Sequence, residues 1–234
     1  MEENILKTIE QHKPDYERWN RETKRTLYYN LVAEEEIPNK ELVDAFQKMH
    51  LVFTDLFLIA KSYGNFKDTW NYEMADMFSF GQLLYAESKK TGNTFEIGIE
   101  YDYIFLKMNV QFAENIKHMS DEFWKLVTKT GELGDLVFKE DNFIGNKNMN
   151  RFKNNKSIIF RMIRNYVILS LNDEGDLDSP GYLGWLEIKW KFNENWEQIL
   201  INLCQAFKYF YQMNYMLWKT RDLKRKRIYK ERKL

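Results

Sequence analysis

Cysteine is almost missing from this 234-residue chain. Cys204 stands alone, so no disulfide can close within it, and the fold does not need an oxidising compartment. Histidine is nearly as scarce. His12, His50 and His118 show neither HExxH nor ExxH spacing, which removes the signal for zinc hydrolysis and for a ferritin-type di-iron site. Neither GxxxxGK[ST] nor GxGxxG occurs, so the glycine-rich loops that cradle phosphates are missing. The acidic stretch NDEGDLD lacks the glycine and glutamate that a calcium loop requires at its sixth and twelfth positions. Long apolar runs are lacking too. The longest, LVFTDLFLIA, contains Asp55 and is ten residues long, half of the roughly twenty that a spanning helix needs. With no basic-then-apolar leader behind Met1, the expectation is a soluble, cytoplasmic protein.

Proline and glycine are also few, at three and ten, which implies long elements. What the chain does have is aromatic mass. Its 17 Phe, 14 Tyr and 7 Trp, within 44% hydrophobic residues, are ample for a packed core and suit subunit interfaces equally well.

Periodicity predicts mostly helices. Tyr16, Trp19, Leu27 and Leu31 share one face of a helix after Pro14. Leu42, Phe46, Met49, Val52, Phe53, Leu56 and either Ile59 or Ala60 do so in a second helix, which starts after Asn39 and ends at Gly64. Residues 67–90 read as a third, ending at the turn TGN. Further helices are expected over 106–118, from an N-cap at Ser120, and through SIIFRMIRNYVILSL. Two segments break this pattern. In TFEIGIEYDYIF and in LEIKWKF, apolar and polar residues alternate, which marks half-buried strands. Each needs a partner, either the other strand or a strand of another subunit.

From Asn193 to Leu234 there is neither glycine nor proline, so about 40 residues can run as one helix of roughly 60 Å. Its apolar stripe passes through Ile199, Leu200, Leu203, Phe207, Phe210, Leu217 and Trp218, and the same face continues as Arg221, Lys224 and Arg225. Nine of the last sixteen residues, KTRDLKRKRIYKERKL, are Lys or Arg and two are acidic. The segment therefore carries +7 and the preceding 218 residues −7, because the whole chain sums to zero. A helix C-terminus favours a few cations through its macrodipole, but nine repel one another at helical spacing unless a polyanion or acidic surface neutralises them. Lys224, Arg225, Lys226, Arg227, Lys230, Arg232 and Lys233 are the candidate contacts to nucleic acid or to an acidic protein neighbour. Trp218, as the hinge of the arm, and Tyr229 are candidate interface residues.

One enzymatic pattern is present. Carboxylates spaced i, i+3 share a helical face and can hold Mg²⁺ together, as Glu41 with Asp44 and Glu73 with Asp76 would on consecutive helices. Over about 40 residues this resembles the all-α nucleotide pyrophosphohydrolases of the MazG and dimeric dUTPase superfamily. The resemblance implies Glu41, Asp44, Glu73 and Asp76 as magnesium ligands against a nucleotide triphosphate.

The architecture expected is mainly α: an all-α body over 1–171 interrupted by one strand near 94–105, then a strand and long helix over 182–234 ending in the basic arm. The function expected is non-enzymatic, without a cofactor. It is an oligomeric assembly or adaptor subunit, in a phage particle (and hence the virion) or another nucleoprotein complex. The magnesium-dependent pyrophosphohydrolase is the alternative.

Overall fold

Strands, rather than helices, fill the middle of the chain. A computed structural model describes residues 40–74, 82–100, 103–139, 155–172, 181–191 and 194–231, with single positions 7, 10, 11 and 14. Strands β1 (Trp70–Met74), β2 (Gln82–Ser88), β3 (Thr94–Glu100), β4 (Tyr103–Gln111), β5 (Asp135–Lys139) and β6 (Tyr182–Lys191) form one antiparallel sheet in the order β1-β2-β3-β4-β6-β5. Four α-helices have described bounds: α1 (Lys40–Gly64), α2 (Asp121–Gly131), α3 (Asn155–Asn172) and α4 (Trp196–Glu231). A 3-10 helix, Ala113–His118, follows β4. The mainly α bundle with two short strands, and with it the all-α body, is overturned by this six-stranded sheet.

The helices cover one face of the sheet. Across its centre, Ile97, Leu106, Ile188 and Leu136 stand opposite one another on β3, β4, β6 and β5, and Phe95, Met108, Leu186 and Phe138 form the next row. All eight are buried. Against them α1 lays Met49, Val52, Phe53, Leu56, Phe57 and Ala60, and α4 lays Ile199, Leu203, Phe207 and Phe210. Phe207 is the aromatic centre, with its ring 5.0 Å from Phe95, 5.5 Å from Trp70 and 5.7 Å from Phe57. Burying such rings removes large apolar areas from water, at about 25 cal/mol per Å². Cys204 lies in the same layer as a small buried hydrophobe.

The opposite face is built from charge. The register sets Glu96, Lys107 and Glu187 side by side on β3, β4 and β6. Lys107 Nζ lies 2.9 Å from Glu96 Oε2 and 4.0 Å above the Trp185 ring. Glu187, only 3% exposed, faces Lys139 at 2.7 Å and Lys189 at 3.0 Å. Burial pushes its carboxyl up, but the two ammonium groups outweigh that and hold it below its usual range.

Three expectations fail locally. Residues 67–90, rich in helix formers, contain β1 and β2 instead, and Leu84, Ala86 and Ser88 point inward with period two. Strand pairing with β3 overrides their intrinsic preference. The expected helix over 106–118 is the body of β4 followed by the 3-10 helix; in β4 Leu106, Met108 and Val110 alternate with Lys107, Asn109 and Gln111, and pairing with β3 and β6 commits them to the sheet. The strand expected over 94–105 is β3 and the first residues of β4, two strands that pair antiparallel. The inward parity changes from Phe95, Ile97 and Ile99 to Ile104, Leu106 and Met108, so Phe105 lies on the charged face. Other expectations match the structure: Leu186, Ile188 and Trp190 point inward, Ser120 precedes α2, and β6 pairs within the chain, between β4 and β5. The helix expected after Pro14 falls outside the described residues. Among the described residues no helix is long and apolar enough to cross a membrane.

Candidate nucleic-acid interface

The basic segment grows out of a helix packed into the core. In α4 the inward stripe of the sequence is buried from Ile199 to Leu217, while Trp218 is half-buried and Lys219 exposed. Leu217 O accepts from Asn115 Nδ2 at 3.1 Å, and Asn214 Nδ2 donates to Asn109 O at 3.2 Å. These two bonds pin the helix to the 3-10 segment and to β4, just before the charge begins. The helix then runs unbroken through Trp218 to Glu231. Lys224, Arg225, Lys226, Arg227, Tyr229 and Lys230 all lie on it, with side chains outside the described residues. Arg232 and Lys233 fall outside them entirely.

At the root of this segment the fold gathers groups that lie far apart in sequence. Tyr211 stacks on Tyr215 with centroids 6.3 Å apart and planes at 14°. Tyr215 in turn meets Trp218 at 5.5 Å. Lys90, from the turn between β2 and β3, places its Nζ 4.8 Å from the Tyr215 ring centroid and 5.8 Å from that of Trp218. Arg221 lies 4.9 Å above the Phe112 ring. Together Lys90, Thr91, Gly92, Phe112, Trp218, Arg221 and Asp222 line a hollow of about 230 Å³. It holds two cations, one carboxylate and two aromatic rings.

The turn that presents Lys90 is held by Asp68. Its Oδ1 accepts from the backbone N–H of Thr69 at 2.7 Å and of Lys90 at 3.2 Å. Its Oδ2 accepts from Ser88 Oγ at 2.5 Å and from the Tyr211 hydroxyl at 2.9 Å. One carboxylate thus joins the loop after α1, the β2–β3 turn and α4. Burial raises the Tyr211 hydroxyl pKa, and the bond to Asp68 and its charge raise it further. Inside the turn, Gly92 takes φ +71, its N–H donates to Ser88 O at 2.7 Å, and Ser88 N donates to Asn93 O at 2.9 Å.

Sequence reading missed Lys90, Arg221 and Asp68 as parts of one place. The turn signal TGN was visible, but it was assigned to the end of a helix, so nothing tied Lys90 to a residue more than a hundred positions later. The magnesium reading loses its frame. Glu41 and Asp44 do share α1, but Glu73 sits on β1 opposite Tyr85, where no second helix exists, and Asp76 is outside the described residues. Among the described residues, no three His, Cys, Asp or Glu side chains come together as a metal site. No known family model, curated protein or solved structure matches the chain.

Proposed function

We propose that this protein is a non-enzymatic assembly or adaptor subunit of a nucleoprotein complex, such as a phage particle, and that its C-terminal helix carries a cationic segment to nucleic acid. Its strongest support is the charge step along one continuous helix. The core-packed part of α4 ends near Leu217, and the sixteen residues from Lys219 onward carry +7 against −7 on everything before them. A rigid helix holds such charge in line, as a phosphate backbone requires. Aromatic rings beside the first cations favour nucleic acid over an acidic protein, because bases stack on rings whereas carboxylates need only the charge. Soluble oligomers in the cytoplasm, or in a particle assembled there, belong to the same proposal.

The test compares full-length protein with a chain ending at Trp218, using fluorescence anisotropy on labelled single-stranded and duplex DNA over a range of salt. Each engaged phosphate contributes about 0.7 to the slope of log affinity against log salt on a single strand, so nine cations can contribute about 6. Loss of most of that slope on truncation is expected. Equal slopes for the two chains, or binding to polyglutamate but not to DNA, would overturn the proposal.

A further inference from the structure

Resting on the nucleic-acid reading, we infer that the hollow at the root of α4 is a phosphate subsite, where Lys90 and Arg221 hold a backbone phosphate beside the ring of Trp218. Two elements remote in sequence converge there. The ammonium of Lys90 comes from the β2–β3 turn, and the guanidinium of Arg221 comes from α4 one helical turn beyond Leu217. About 230 Å³ is room for a phosphate with part of its sugar.

The backbone beneath Arg221 supports a built site. Phe112 adopts the left-handed conformation, φ 62 and ψ 45, and is only 3% exposed. A non-glycine residue is strained there, and such strain persists where the surroundings demand it and clusters at binding sites. Its effect is to place the ring under Arg221, which keeps the guanidinium over the hollow. Lys90 is likewise held against rings rather than left to swing, because its N–H is bonded to Asp68 and its Nζ rests over Tyr215 and Trp218. Cations held in place in this way lose less entropy on meeting an anion. Asp222 lines the same hollow with the opposite charge. Its carboxylate opposes an anion in the hollow, which gives the inference a test of sign.

The experiment follows backbone Gly92 and the Trp218 indole by NMR in ¹⁵N-labelled full-length protein. Inorganic phosphate, pyrophosphate and a ten-nucleotide single strand are titrated separately, into wild type, Lys90→Gln/Arg221→Gln and Asp222→Asn. Both resonances should shift with pyrophosphate and with the strand. The double variant should abolish these shifts and lower the salt slope by about 0.7, the share of the one phosphate lost, while binding through the rest of the segment persists. Asp222→Asn should tighten binding several-fold, which a merely structural hollow would not do. If the strand binds and shifts only resonances beyond residue 223, the subsite is refuted and the nucleic-acid reading stands. If pyrophosphate shifts Gly92 and Trp218 but no strand binds, the site takes free phosphate and nucleic acid is refuted. Silence toward every ligand overturns both.

Discussion

Replacing Asp68 with alanine should unfasten three parts of the molecule at once. The carboxylate accepts four hydrogen bonds, two from the hydroxyls of buried Ser88 and Tyr211 and two from exposed backbone N–H groups. Net values of about 1 kcal/mol for each of the former and about 0.5 for each of the latter, where water substitutes readily, sum to about 3 kcal/mol. For a chain of this size that corresponds to a fall in Tm of about 6–12 °C. Urea unfolding followed by circular dichroism would read the loss as a shift in midpoint at constant slope. Tyr211→Phe removes one of the four bonds and should cost about 1 kcal/mol. Because its hydroxyl bonds to Asp68 itself, the Asp68→Ala/Tyr211→Phe double variant should lose less than the sum, with a coupling of about 1 kcal/mol. A loss below about 0.5 kcal/mol for Asp68→Ala, or strict additivity with Tyr211→Phe, would refute the role of Asp68 as the common tie. The variant should also weaken DNA binding, because the turn bearing Lys90 loses its anchor to α4.

Glu187→Gln should destabilise the fold by about 2 kcal/mol at pH 7. It leaves Lys139 and Lys189 facing a neutral group in the sheet, and their partial exposure keeps the cost below that of a fully buried pair. The folded pKa of Glu187 is lowered, so its stabilisation is present above the ordinary value of 4.5 and is lost as pH falls through the folded value. Urea midpoints between pH 3 and 7 should drop less steeply in the variant, and parallel curves would count against the assignment. Gly184→Ala should cost about 2–4 kcal/mol in the same assay, because Gly184 holds φ +138 and an added Cβ would lie 2.4 Å from Lys139 O. A near-neutral result would mean that β5 and β6 can part there without loss.

The local pattern of the sequence is enough for α1, α3, α4 and the second half of β6. Each has a period that one face of burial imposes, and each ends at a recognisable signal or change of composition. The charge step after Leu217 is a property of composition alone and needs no coordinates. Tertiary structure decided the rest. β1 and β2 are made of residues equally at home in helices, and only hydrogen bonding to β3 commits them to the sheet. β4 shows alternation from Leu106 to Gln111 but is committed to the sheet by its pairing with β3 and β6, and five-residue β5 is too short to show a period. The candidate subsite was invisible for a related reason. Lys90 and Arg221 are unremarkable single residues in sequence and gain meaning only because antiparallel pairing brings the β2–β3 turn against α4. Sequence periodicity records which face of an element is buried, whereas the identity of the partner element is fixed by long-range packing, and on that packing the site depends.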